Sequence, residues 1–388
     1  MRLVERMSRL GTETAFTVLA RAKALEAQGR DIVHIEIGEP DFDTPANIVE
    51  AGADALRNGY THYTPAAGIP PLRETIADYV AETRGIPVDA ANVVVVPGGK
   101  PIIFFSILAL VDAGDEVIMP NPSFPIYESM VNFIGAKPVF VRLSEESGFG
   151  FDLDMFAGSL SDRTRMVILN SPSNPTGGVL SKAQIEAIAA LLRDRPDVTV
   201  LSDEIYSRIV YDGEHHSIAA EPGMQDRTII LDGYSKTYAM TGWRLGYGVM
   251  PVKLAEAITQ LQINATSCVN AATQVAGIEA LHGPQDSVDR MVAAFRQRRD
   301  LVVAGLNAIP GLRCVMPEGA FYAFPNVSGL GIDQDALAGR LLNEAGVAVL
   351  PGTAFGAYGK GYLRLSYANS IPNIQKALDR IGDFVRGL

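Results

Sequence analysis

A lysine stands where a solubilising cation has no evident purpose. In LDGYSKTYAMTGWRLGYG, residues 231–248, Lys236 follows an apolar run and lies among Gly, Ser and Thr, with Arg244 downstream. Other apolar runs end in the same manner. VVVV (Val93–Val96) leads into PGGK with Gly99 and Lys100, and EVIMP (Glu116–Pro120) into NPSFPIY with Phe124 and Tyr127. RMVILN (Arg165–Asn170) leads into SPSNPTGG with Asn174, and VTVLS (Val198–Ser202) into DEIY with Asp203 and Tyr206. TIILD (Thr228–Asp232) leads into GYSK with Ser235 and Lys236. The set offers an amine, a carboxylate, phenol and amide hydrogen-bonding groups, an aromatic face and a Gly-rich turn. Pyridoxal 5′-phosphate (PLP) needs all of these. Its aldehyde takes a lysine amine as a Schiff base, and a carboxylate keeps its pyridine nitrogen protonated. Its phosphate takes backbone N–H groups at a helix start, hydroxyls and an arginine. The rival phosphate motif fails, because Gly98–Gly99–Lys100 lacks P-loop spacing and Pro101 follows. His215 and His216 have no Cys or His at ligand spacing, so no metal is expected.

These side chains can meet only if the chain brings the run ends together. Between most of the runs lie helical patterns, such as Ser181–Arg193 with Ser181 as N-cap. That alternation predicts an α/β unit with a mostly parallel sheet covered by helices. VVVV and MVIL are continuously apolar, as strands buried on both faces should be. Ligands bind outside the carboxyl ends of such strands, so five candidate strand ends point to one edge. After about Gly283 the pattern changes to a long helix (Val288–Ile309), strand candidates Leu312–Met316, Ala320–Phe324 and Tyr362–Tyr367, and two more helices. A helix is also expected over Thr14–Arg30, before the loop GEPDFDTP. The expected division is a large domain over residues 45–285, and a smaller α+β domain from residues 286–388 joined by residues 1–44. No internal repeat or low-complexity tract is visible.

Composition removes several classes of function. The chain has 388 residues, 47% hydrophobic and 20% charged, and a net charge of −11. No Lys/Arg excess exists to neutralise nucleic-acid phosphates, although a few local cations can still hold a small anion. Cys268 and Cys314 form no Cys-x-x-Cys pair, which fits a reducing compartment. MRLVERMSRL offers no apolar core for a signal peptide, and the longest apolar run, Ile102–Val111, is too short for a bilayer. A soluble cytoplasmic protein with no membrane partner is expected.

SPSNPTGG, DEIY and SKTYAMTGWRLGY, in this order, resemble the class I/II, fold-type I PLP-dependent aminotransferases, and most closely their prokaryotic aspartate branch. The resemblance runs from GEPDFDTP to YLRLSYA, nearly the whole chain. It implies that Lys236 carries PLP and moves the proton between the substrate Cα and the cofactor. Asp203 would pair with the pyridinium nitrogen, and Asn174 and Tyr206 would hydrogen-bond the phenolic oxygen. Phe124 would stack on the ring, where this branch often has tryptophan. The backbone at Gly99 and Lys100, the Ser235 hydroxyl and Arg244 would hold the phosphate. Arg364, in YLRLSY, would take the substrate α-carboxylate with its planar fork. Gly38, Phe124 and Asn174 would border the substrate, and Lys100 would meet the distal carboxylate of an acidic one. Tyr63 would reach the phosphate of a neighbouring subunit, making the active form a homodimer.

The implied activity is ping-pong transfer of an amino group from an L-amino acid, aspartate or another acidic donor, to a 2-oxo acid such as 2-oxoglutarate. A broad or aromatic amino-acid aminotransferase is the rival for substrate, with nearby Phe and Tyr residues as its pocket. A PLP-dependent lyase on the same fold shares the carboxylate-binding arginine. A non-catalytic PLP-sensing domain would be expected to carry a DNA-binding module, for which no spare N-terminal segment is seen.

Overall fold

The computed structural model describes all 388 residues. Twelve strands occur: β1 (Val33–His34), β2 (Val93–Val96), β3 (Glu116–Asn121), β4 (Lys137–Arg142), β5 (Thr164–Asn170), β6 (Thr199–Asp203), β7 (Thr228–Gly233), β8 (Gly246–Val249), β9 (Tyr322–Ala323), β10 (Val347–Ala348), β11 (Leu350–Pro351) and β12 (Leu363–Ser366). Seven form one sheet in the order β2-β8-β7-β6-β5-β3-β4. All neighbours are parallel except β8, which runs antiparallel to both β7 and β2. Two antiparallel pairings in series leave β2 parallel to β7. The carboxyl ends of β2, β3, β5, β6 and β7 therefore share one edge, and β8 begins there.

The sheet is buried on both faces. Val94 and Val96 pack in one layer with Ile102, Ile103 and Met130, while Val93 and Val95 pack in the other with Leu72, Ile76 and Ala276. Alternation along the strand sends successive side chains to opposite faces, so only a continuous apolar run satisfies both layers. All five apolar runs are strands, within one or two residues at each end. The helix expected over Ser181–Arg193 spans Lys182–Leu192, and its capping box joins Ser181 and Gln184.

Two strands of the sheet give no apolar run. β8 reads GYGV, and its glycines let it lie against the next turn: a Cβ on Gly246 would lie 2.7 Å from the Gly99 nitrogen. β4 reads KPVFVR, a half-exposed edge strand where a proline is tolerated. Conversely, Leu312–Met316 is not a strand. Only Arg313 bridges, exchanging both backbone bonds with Asn326, and the pairing stops there, while the Asn307 side-chain amide holds the N–H and the C=O of Cys314 on the other side. The expected helix over Val288–Ile309 spans Asp286–Asn307, and that over Thr14–Arg30 ends at Glu26.

A second apolar core lies beyond the ligand edge. Phe295, Val302 and Leu306 of the long helix pack there with Ile374, Leu378 and Ile381 of the helix Ile371–Arg386, around β9 and β12. β9, β12 and β11 form an antiparallel sheet, and β1 pairs with β10. Tyr206, Ile209 and Tyr211, from the loop after β6, belong to this core as well. The chain segment that leaves the sheet edge at Asp203 is thus anchored in the neighbouring core three residues later.

Candidate active site

A cavity of about 460 Å³ opens between the ligand edge and the second core. Gly38, Gly99, Lys100, Phe124, Asn174, Asp203, Tyr206, Ser235, Lys236, Arg244 and Arg364 all line it. Five strand ends and two segments of the second core thus supply one space, although these residues are spread over most of the chain.

Lys236 sits on the short helix Tyr234–Thr237 directly after β7. Its Nζ donates to the Gly38 carbonyl at 2.6 Å. Burial of the amine lowers its pKa from 10.5 to about 8, against the opposing pull of the Glu39 carboxylate. Gly38 is packed against Tyr322, where a Cβ would lie 2.1 Å from the phenol oxygen.

Asp203 ends β6. Its Oδ2 accepts from the Tyr127 hydroxyl at 2.5 Å, and its Oδ1 from the Ile205 N–H at 3.2 Å. Burial outweighs these bonds and raises its pKa from 3.8 to about 6, helped by the negative charges of Asp232 and Glu204. Asn170, at the end of β5, fixes the adjacent loop. Its side-chain amide donates to the Asp203 carbonyl at 3.2 Å and accepts from the Asn174 N–H at 2.9 Å.

Arg364 comes from β12, with 4% of its surface exposed. Its guanidinium carbon lies 4.5 Å from the Tyr322 ring centroid and 4.9 Å from that of Phe355. It donates to Asn174 Oδ1 at 3.2 Å and to the Glu36 carbonyl, while its buried Nε has no partner. No carboxylate pairs with it, so a buried positive charge is left without a counter-ion.

The Gly98–Lys100 turn and Arg244 form another wall. Gly98 has φ +82°, and a Cβ on it would lie 2.1 Å from Arg244 Nη2, so glycine admits the guanidinium. Arg244 is exposed at the rim, bonded to the Thr241 carbonyl at 2.8 Å. Gly99 is the N-cap residue of the helix Lys100–Leu110, whose second residue, Pro101, has no N–H to offer. The Lys100 ammonium is not free: it pairs with Glu13 and lies 5.7 Å from the Phe124 ring centroid.

Tyr63 is the exception. It is 90% exposed, away from the cavity, beside Tyr60, Cys268 and Asn270. Tyr127, singled out at a strand end but given no role there, donates to Asp203. Other lining residues carry no signal that sets them apart in sequence. Tyr322, in GAFYAF, bonds the Tyr206 hydroxyl at 2.7 Å. Glu13, Phe16 and Phe355 likewise reach the cavity only through tertiary structure.

The family model for aminotransferase class I and II matches residues 30–381. An aspartate aminotransferase from Rhizobium meliloti is 40% identical, over 97% of this chain and 94% of that protein. The structure of the aspartate aminotransferase from Thermus thermophilus with maleate superposes with a TM-score of 0.95 at 40% identity, covering 100% of both chains. That of an aromatic aminotransferase from Pyrococcus horikoshii gives 0.90 at 38% identity, over 94% of this chain and 99% of the other. This chain belongs to the class I and II aminotransferase family, and the protein is a transaminase of fold type I. No helix is long and apolar enough to cross a membrane.

Proposed function

We propose that this aminotransferase works with PLP and takes an acidic L-amino acid, aspartate first, as amino donor to a 2-oxo acid such as 2-oxoglutarate. Arg364 carries the reading. A buried charge without a partner costs several kcal/mol, and a substrate α-carboxylate is the counter-ion that would offset it. It shares its cavity with a buried-amine lysine and a buried carboxyl.

The residues fit the cofactor. Asp203 keeps lone pairs beyond its two bonds, Gly98 lets the Arg244 guanidinium lie against the turn where an anion would be held, and Lys236 presents an amine of lowered pKa. When bound, PLP supplies an electron sink for the pair released at the substrate Cα. Lys236 would hold the cofactor covalently and then move the proton at Cα. Asp203 would hold the proton at the ring nitrogen, with Tyr127 orienting the carboxyl. Asn174 and Tyr206 would donate to the phenolic oxygen, and Phe124 would cover the ring. Gly99, Lys100, Ser235 and Arg244 would hold the phosphate. Arg364, with Gly38 and Asn174 beside it, would orient the α-carboxylate.

For the donor, Lys100 is the one cavity cation with neither a cofactor contact through its ammonium nor an α-carboxylate to bind. Its role as receptor for a distal carboxylate agrees with the aspartate aminotransferase names among the relatives. An aromatic donor is the second reading, favoured by Phe16, Phe124 and Phe355 in the lining. The aspartate aminotransferase names among the relatives favour transamination over a lyase reaction. The homodimer with Tyr63 serving the partner's site, the division into residues 45–285 and 1–44 plus 286–388, and a cytoplasmic location belong to the same proposal.

The test is the absorbance of the PLP-loaded protein on adding L-aspartate, L-glutamate, L-alanine and L-phenylalanine one at a time. The cofactor band should bleach fastest with an acidic donor and return with 2-oxoglutarate. Bleaching by phenylalanine alone would transfer the substrate assignment to the aromatic reading, and no bleaching at all would remove PLP-dependent transamination. Lys100→Ala should raise KM for aspartate at least tenfold more than KM for phenylalanine, about 1.4 kcal/mol of selective binding. Equal losses for both donors would overturn the role of Lys100.

A further inference from the structure

Lys100 does not wait for a ligand with its charge unopposed. Glu13 reaches it from the other wall of the cavity. Glu13 is the N-cap residue of the helix Thr14–Glu26, with an extended backbone, yet its side chain caps none of that helix's free N–H groups. It turns into the cavity instead. There the positive end of the helix favours a carboxylate. Its charge extends beyond the pair, favouring the charged forms of Lys236 and Arg364. Lys100 has no second acceptor among its hydrogen bonds, and its side chain is 43% exposed against 19% for Glu13. A partly solvated pair of this kind is weak enough to exchange partners.

We propose that Glu13 is a specificity-determining residue, a resident carboxylate that competes with the distal carboxylate of an acidic substrate for Lys100. An acidic donor must displace it. A neutral or aromatic donor leaves the pair closed, and then meets a neutralised wall lined by Phe16, Phe124 and Phe355. The pair so lowers the preference for acidic donors that Lys100 alone would impose, and lets one cavity take both classes. This inference rests on the reading of Lys100 as the distal-carboxylate receptor.

The test compares holoenzyme carrying wild-type sequence, Glu13→Gln, Lys100→Ala and both substitutions. Calorimetric titration with maleate, a dicarboxylate that cannot transaminate, and with 3-phenylpropionate reads binding apart from turnover. Steady-state kcat/KM for L-aspartate and L-phenylalanine is measured alongside. Glu13→Gln should tighten maleate about fivefold relative to 3-phenylpropionate, the range of an exposed ion pair, and raise the aspartate-to-phenylalanine ratio of kcat/KM in step. The gain should shrink in the Lys100→Ala background. A ratio that stays constant or falls in Glu13→Gln overturns the proposal, because a residue that merely supports the helix would move both ligands together. If Lys100→Ala alone leaves maleate discrimination intact, the receptor role of Lys100 fails, and the competition with it. Should Glu13→Gln lose the fold, Glu13→Ala carries the same expectations.

Discussion

Asp203 and Glu204 are neighbours in sequence with identical chemistry, and the fold makes opposite use of them. Asp203 points into the cavity, where one phenol and one backbone N–H leave its carboxyl short of partners. Glu204 points to the other side. It pairs with Arg84 at 2.9 Å and His215 at 3.0 Å, and accepts from Ser202 at 2.9 Å and Ser217 at 2.6 Å. Arg84 also joins Asp232 at 2.6 Å, tying the ends of β6 and β7 together. Burial outweighs everything else at Asp203 and raises its pKa to about 6. At Glu204 burial acts in the same direction, but His215 and Arg84 overcome it and hold the carboxyl well below its ordinary range. The difference separates a group kept under-satisfied for a ligand from one fully satisfied within the protein.

Lys236→Ala should show the largest effect on the cavity side. Turnover should fall by about 10³-fold or more, since the residue both anchors the cofactor and moves the proton. Retained turnover would remove it from the mechanism. The two carboxyls come next. Asp203→Asn should cut kcat by about 10²-fold, because the ring nitrogen loses the charge that keeps it protonated, while the cofactor-free fold stands. Glu204→Gln should do the reverse, destabilising by about 3 kcal/mol because the buried Arg84 keeps only Asp232 and His215 loses its carboxylate, with kcat of the folded fraction changing far less. Paired thermal melts and single-turnover rates would break the comparison if both variants lost activity alike.

Their pH dependences should differ in sign. Asp203 has a raised folded pKa, so the folded cofactor-free protein binds its proton more tightly, and stability falls as pH rises from 3.8 to about 6. Asp203→Asn should abolish that segment of the curve. Glu204 has a depressed folded pKa, so its contribution is present above 4.5 and is lost as pH falls. For Lys236 the observable is PLP loading. Only the neutral amine attacks an aldehyde, so the rate should climb to about pH 8 and then level, rather than climb to 10.5. The smallest effect is expected at Tyr63. Tyr63→Phe should weaken PLP retention only about fivefold, the value of one hydrogen bond, and only in the dimer.

Much of the sheet was legible because strands buried on both faces must be continuously apolar. β8 and β4 escaped that test, one through glycines that admit a neighbouring turn, the other as a half-exposed edge. Leu312–Met316 has a strand's composition, but it pairs at Arg313 alone, and composition does not tell how far a ladder extends. Eleven of the twelve site residues line one cavity, since strand ends on a common edge converge whatever their separation in sequence. What sequence could not convey was pairing. DEIY does not say which carboxylate faces the cavity, and nothing in GTETAF connects Glu13 to Lys100. Tyr322 and Tyr127 likewise acquire partners only from packing between distant segments.

The account stands on Lys236 being the cofactor's anchor, and Lys100 is the other lysine in the same cavity. The most direct measurement is borohydride reduction of the PLP-loaded protein, followed by digestion and peptide mass spectrometry. The account predicts a pyridoxyl label on Lys236, within GYSKTYAMTGW, and none in the Lys236→Ala variant. A label on Lys100, or no label in a protein shown to retain PLP, would contradict it.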